Sequence, residues 1–455
     1  MSQNKEFQEY VELLEDYISK KFEGELSPSE IAKKLKYIKH QDEEKFLELL
    51  EKLPKDIFGD VVLELPEYYI KDIVEGVSSQ KLKEAIEELE SDDATDLLQD
   101  IEEVDEAKAE EILSNLDEED QEEIKRLKRY DENQAGAYMQ TEVFTALYDE
   151  KIQDALNRLK EKKASGELEN IHQLFIVDSL GRLMFSIGLE DLILFDFSKT
   201  FKSEIEGRED EFRPIYVRDD DEIDKVVHIF EDYDLATLPV VDYNNTLLGR
   251  ITADDIHDII QESATEQIYG LAGVDEEAEH EESIKEAGKS RASWLFINLA
   301  TAILASIVIG FFDKTLQSYV ALAILMPIVA SMGGNAGTQT LTIMVRQLAL
   351  GEVDFKNAKR AIFKEIILST ANGLLFGVVI GLIAFVWFKD YKIGVVIASS
   401  MLINLFCAGL AGAIIPLGLK KIGVDPAIGS TVLLTTVTDV VGFLSFLGLA
   451  TLVLS

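Results

Sequence analysis

Almost all the charge in this 455-residue chain lies in its first 292 residues. Residues 293–455 hold seven acids and ten bases, a balance of +3, so with a formal net charge of −41 the earlier part carries −44. The near-zero mean hydropathy of +0.04 conceals this division. Within the weakly charged part, five apolar stretches cover roughly 294–312, 319–346, 360–388, 393–419 and 427–454. About 20 apolar residues cross a bilayer core as a helix, so each stretch is long enough to span. Five in succession with very short loops do not suit the buried helices of a soluble protein. The sequence therefore predicts a multi-domain membrane protein whose acidic part lies in water.

Positive charge sets the orientation. Lys285, Lys289 and Arg291 precede the first span, Arg346, Lys356, Lys359 and Arg360 follow the second, and Lys420 and Lys421 follow the fourth. The opposite loops offer Lys314, Lys389 and Lys392. This places the N-terminal region in the cytoplasm and the C-terminus outside the cell. The polar, acidic start has no signal-peptide pattern, so the first span would direct insertion. So acidic a region repels nucleic acid and anionic headgroups and attracts cations. The single cysteine, Cys407, sits in an apolar stretch, which excludes an intrachain disulfide and a cysteine metal cluster.

Residues 1–135 read as an all-α superhelical domain of short helices. Apolar residues recur at helical spacing, as in Ile70, Ile73, Val74 and Val77, between breaks such as Leu53-Pro54 and Leu65-Pro66. Residues 136–200 and 201–252 repeat an α/β plan. In the second copy Pro214–Val217, Leu238–Val241 and Leu247–Ile251 read as strands, Ile223–Tyr233 and Ala253–Gln261 as helices, and Asp242–Asn245 as a turn. The first copy shows strands at Gln173–Val177 and Leu183–Ile187. Leu238-Pro-Val-Val-Asp242 followed by Leu248-Gly-Arg-Ile-Thr-Ala-Asp-Asp255 resembles the cystathionine-β-synthase (CBS) module, which pairs and often binds adenine nucleotides. That resemblance implies ATP as a ligand, with Thr252 and Asp255 at the ribose positions and Asp191 as their counterpart in the first copy. Phe185 and Gly188 there depart from the family pattern.

Two features of the spans carry chemistry. Pro327 and Gly333-Gly334-Asn335-Ala336-Gly337-Thr338-Gln339 interrupt the second span with glycines and amides. Such residues predict a broken helix facing a watery cavity. Close helix packing is the alternative for the glycines, though not for Asn335 and Gln339. Asp439 is the one acid read as deep inside a span, and Thr431, Thr435 and Asp439 at i, i+4 and i+8 share a helix face. Intramembrane acids mark ion pathways. The potential ligands are all oxygens, which favours a hard cation over copper or zinc. Mg²⁺ keeps several waters and uses one or two carboxylates, but Ca²⁺, Mn²⁺ and a proton stay open on this ground alone.

In order along the chain, the acidic helices, the CBS pair, Pro327 with Gly334–Gln339, Asp425-Pro426 and Thr435–Asp439 resemble the MgtE family of Mg²⁺ channels. The resemblance implies a homodimer with five spans per subunit, a pore on its two-fold axis, and Mg²⁺ as both cargo and regulator. It puts Asn335 and Asp439 at pore positions, with Gly334, Thr431 and Thr435 beside them, and Asp234 at a sensor position. It also implies a cytoplasmic plug helix within 253–292. Asp255, Asp258, Glu262 and Glu266 there are spaced 3, 4 and 4 apart and share a face whose mutual repulsion a cation would relieve. Asp92, Asp93, Asp96 and Asp100 form a second cluster expected to face the CBS pair. A transporter of another divalent ion and a membrane-anchored nucleotide sensor are the rivals. No phosphate-binding loop, activated nucleophile or catalytic pair suggests an enzyme.

Overall fold

The computed structural model describes residues 2–20, 26–168, 170–274 and 284–454. The chain forms two compact units, Met1–Gln261 and Glu262–Ser455.

The first unit begins with nine short α-helices among the described residues, from Ser2–Ile18 to Glu118–Leu127. Their starts are written locally. The Ser27 hydroxyl accepts the Glu30 amide N–H, the Glu30 carboxylate accepts the Ser27 N–H, and Pro28 takes the first helical position. The apolar stripes meet in one core that includes Leu35, Phe46, Phe58, Tyr69 and Ile73. Lys39 is buried at its edge, where its ammonium lies 3.6 Å from the Tyr69 ring centroid and pairs with Asp72.

Two three-stranded sheets follow, with one topology. Strands β1 (Thr145–Leu147), β2 (Gln173–Val177) and β3 (Leu183–Gly188) form one, and β4 (Val217–Arg218), β5 (Thr237–Val241) and β6 (Leu247–Thr252) the other. In each, the first pair is parallel and the second antiparallel. The CBS-like repetition is thus present in the fold. The strand expected over Pro214–Val217 starts only at Val217, because Pro214 has no N–H to give a ladder. The modules exchange segments. Phe201, Ile205 and Phe212 complete the first core, while Leu127, Ala135 and Met139 enter the second. Gln140 pairs with Arg250, with backbone bonds of 2.7 and 2.8 Å, and so extends the edge of β6.

The helix after β6 runs from Ala253 to Ala272, eleven residues beyond the expected end at Gln261. The connecting segment expected at 253–292 falls partly on 275–283, outside the described residues.

Among its described residues the second unit contains five helices long and apolar enough to span: Arg291–Gly310, Val320–Ala349, Ala358–Phe388, Tyr391–Lys421 and Ser430–Leu454. The second is one unbroken helix through Pro327 and the glycine motif, which corrects the expected break. Packing gives the reason. Gly333 lies against Asn404 of the fourth span and Gly337 against Leu434 of the fifth, so the missing side chains are replaced by neighbours. The third and fourth spans are joined by a hairpin turn whose Lys389 adopts the left-handed conformation, with φ 56°. Gly373, Gly377 and Gly381 face Leu402, Ala398 and Gly394 across that hairpin. A Cβ at Gly377 would stand 2.8 Å from the Ala398 carbonyl oxygen, and one at Gly381 2.9 Å from that of Gly394. The two backbones touch in an antiparallel ladder.

Candidate functional site

The membrane site is built on the second and fifth spans. Gly333 and Gly442 both abut the Asn404 side chain, and Gly337 packs on Leu434. These contacts make the two spans antiparallel and set Asn335 level with Thr438 and Asp439. Gly333 and Gly337 face the protein, whereas Ser331, Asn335 and Gln339 lie on the exposed face of the same helix. The Asn335 amide donates to Ser331 Oγ at 3.4 Å, and a Cβ at Gly334 would meet nothing within 4 Å.

Thr431, Thr435 and Asp439 share a half-buried face of the fifth span, as their spacing predicts. Thr435 spends its proton on its own helix, donating to the carbonyls of Thr431 and Val432 at 3.0 and 3.1 Å. Its oxygen can still accept. Thr431 donates to the Leu271 carbonyl at 2.8 Å, the end of the helix that began at Ala253. Leu271 also packs with Leu341, Val345, Ala427 and Leu434, so the end of that helix is seated on the second and fifth spans. Asp439 has no hydrogen-bond or ion-pair partner among the described residues of one chain.

A second carboxylate, Glu365, is buried two turns into the third span and accepts the Thr340 hydroxyl at 3.1 Å. Asp439 is therefore not the only acid inside a span. Glu365 was passed over because it lies close to the basic end of its stretch.

In the first unit a seam of acids joins the helical domain to the second CBS module. Asp92 and Asp93 open the helix Ser91–Val104, and the field of Asp255 from the CBS side acts on both. Burial, reinforced by Asp255, Asp96 and Glu90, pushes the Asp93 carboxyl up to about 7. Burial and the adjacent Asp93 hold Asp92 well above the usual carboxylate range. Burial raises Glu90 to about 7 although the Arg250 guanidinium, 3.6 Å away, opposes it. Asp255 is raised chiefly by burial, against two bonds from Thr252: the hydroxyl at 2.6 Å and the N–H at 3.1 Å. The helical domain is tied across this seam where Ser91 donates to Glu142 at 3.0 Å and Thr141 N–H donates to Ser91 Oγ at 2.8 Å.

Sequence reasoning placed Asp92, Asp93, Asp96 and Asp255 in facing clusters but missed Glu90, two residues before the first cluster, and Glu142 and Arg250, which lie far from it in sequence. Asp258 is exposed on the Ala253–Ala272 helix and adds to the field on Asp255. Glu262 and Glu266 are exposed further along the same helix. Asp100 is half-buried on the Asp92 helix. Asp234 lies apart, exposed at the left-handed cap of Ile223–Tyr233 with φ 49°. At the nucleotide positions, Thr252 is buried and bonded to Asp255, and Asp191 is half-buried on the short helix Leu189–Leu192. Among the described residues no three His, Cys, Asp or Glu side chains converge tightly enough to hold a metal alone. A hydrated Mg²⁺ needs only one or two carboxylates, so this arrangement suits it better than a dehydrated ion.

Family comparison decides the identity. Residues 326–449 match the MgtE family described as a divalent cation transporter, 26–133 the MgtE intracellular N domain, and 210–262 the CBS domain. The magnesium transporter MgtE of Thermus thermophilus is 33% identical over 73% of this chain and 72% of its own length. That of Enterococcus faecalis is 33% identical over 72% and 71%. The chain belongs to the MgtE family of magnesium transporters. It is a multi-pass membrane protein, and its helical domain, CBS pair and five spans follow the MgtE plan. Among solved structures, the cytosolic domain of the Mg²⁺ channel MgtE in complex with ATP is 27% identical, covers 55% of this chain and 93% of its own, and has a TM-score of 0.47.

Proposed function

We propose that the chain forms a Mg²⁺ channel of the bacterial inner membrane that admits the ion down its electrochemical gradient. Its cytoplasmic acids close it when internal Mg²⁺ is plentiful. The observation that carries this reading is the uncovered polar face of the membrane unit. Ser331, Asn335 and Gln339 on one span and a partnerless Asp439 at the same level on another lie open in a single chain. Lipid cannot solvate such a face, but a water-filled path can. Five spans do not readily enclose that path, so a second copy across a two-fold axis supplies the other wall. Two Asp439 carboxylates, with Asn335, Thr431, Thr435 and Gly334 nearby, then meet the ion through its water shell.

Gating follows from the acid seam. Ionised Glu90, Asp92, Asp93 and Asp255 oppose docking of the helical domain, and Mg²⁺ relieves that repulsion. Docking shifts the population toward a closed state in which the Ala253–Ala272 helix stays seated at Thr431. Asp258, Glu262, Glu266, Asp96, Asp100 and Asp234 add to the same response. Adenine nucleotide at the CBS pair is a modulator in this scheme, with no permeation step assigned to it.

The test is Mg²⁺ uptake into proteoliposomes with low internal Mg²⁺. Wild-type uptake that vanishes in Asp439→Ala supports the path; unchanged uptake in that variant moves the path elsewhere. A wild type that carries no Mg²⁺ would return the chain to the sensor reading.

A further inference from the structure

The fourth span contributes a polar residue that reaches both spans of the membrane site. Asn404 is fully buried. Its amide donates to the Val329 carbonyl on the second span at 2.9 Å. The side chain fills the space left by two glycines. A Cβ at Gly333 would clash with the amide, and one at Gly442 on the fifth span would stand 2.8 Å from Nδ2. Gly333 lies two residues before Asn335, and Gly442 three residues after Asp439. Asn404 Oδ1 has no hydrogen-bond partner and sits between the two glycines. A leucine has the same branched heavy-atom outline without the desolvation cost of a buried amide. One turn away Ser400, also fully buried, shares a 3.1 Å hydrogen bond with Ser445 of the fifth span.

We infer that Asn404 is a positioning residue, a clasp that fixes Asn335 and Asp439 relative to each other and so sets the width of the path at that level. The inference rests on the reading of those two residues as pore-facing. Asn404 itself does not meet the ion. A site that discriminates among hydrated divalent ions needs its groups held to about half an ångström, and three helices sharing one side chain provide that restraint.

The full-length protein in proteoliposomes tests this through separate Mg²⁺ and Ca²⁺ uptake, with thermal unfolding in detergent as a control. Asn404→Leu keeps the branched heavy-atom outline and removes the bond. The Mg²⁺-to-Ca²⁺ uptake ratio is expected to fall about tenfold, as a displacement of a fraction of an ångström would produce, while the unfolding transition stays near wild type. Gly333→Ala is expected to depress Mg²⁺ uptake, and Asn404→Ala added to it to restore part of the loss, because the new methyl enters the vacated space. An unchanged ratio in Asn404→Leu, or additive losses in the double variant, overturns the clasp. If Asn404→Leu does not fold, the Gly333/Asn404 alanine pair decides alone. Asp439→Ala in the same assay separates the readings: intact uptake there sinks the path itself, whereas lost uptake with an indifferent Asn404 sinks only the clasp.

Discussion

The two units use carboxylates in opposite ways. At the cytoplasmic seam Glu90, Asp92, Asp93 and Asp255 are crowded and desolvated, and Glu90, Asp93 and Asp255 each raise the proton affinity of another. In the membrane, Asp439 stands without a hydrogen-bond partner among the described residues, on a face it shares with Thr435, bonded to its own helix, and Thr431, bonded to the Leu271 carbonyl. Crowded acids store repulsion, which a cation relieves, so their arrangement responds to ion concentration. A solitary acid gives a passing ion one favourable contact that it can leave. On the proposed reading, the contrast teaches that the number of acids in a place, more than their presence, separates sensing from conduction.

The sharpest way to break this contrast is to remove the solitary charge while keeping its shape. Asp439→Asn should bring Mg²⁺ uptake close to background, and retention of most of the flux would deny the charge its role. Next in size is the seam's output. Neutralising Asp255, Asp258 and Glu262 together should leave uptake running at internal Mg²⁺ that shuts the wild type, read by raising the internal ion; retained closure removes these residues from the sensor.

A smaller effect is expected in docking itself. Asp92→Asn with Asp93→Asn removes stored repulsion, so the helical domain should resist protease in chelator almost as it does in Mg²⁺. Wild-type docking should also depend on pH. Glu90 and Asp93 have docked-state pKa values of about 7, above their ordinary 4.5 and 3.8, so the docked seam binds more protons than the separated one. Raising the pH from the carboxylate range through about 7 should therefore weaken Mg²⁺-free docking, the loss levelling off once both groups are ionised in the docked state. Protease protection measured in chelator between pH 5 and 8, as an experimental range, checks the sign, and protection that rises with pH would refute it. Smallest should be Thr435→Val, which removes one acceptor and a hydroxyl bonded only to its own helix. It should lower uptake severalfold, far less than the loss at Asp439.

Much of this organisation was legible in sequence because it rests on local signals. Five spans follow from hydropathy, Ile223–Tyr233 from its apolar period, and Gln173–Val177 from its β-branched and aromatic run. The face of Thr431, Thr435 and Asp439 followed from helical spacing alone. What escaped depends on neighbours distant in the chain. Arg250 reads as one residue of a CBS strand, yet it is buried beside Glu90 of another domain. Asn404 reads as a stray amide in an apolar span, and only the glycines of two other helices make room for it. The glycine motif misled in the other direction. Gly333 and Gly337 looked like breaks, but burial on Asn404 and Leu434 keeps their helix continuous.

The glycine ladder between the third and fourth spans has a mechanical consequence. Where backbones touch through Gly377, Gly381 and Gly394, no long flexible side chain lies between the helices to yield under load. The first span is the opposite case, with 6% of its apolar window buried within one chain. Under a force that draws the chain out of the bilayer, the third and fourth spans leave together as one hairpin, and the first slips out as a single helix at much lower tension.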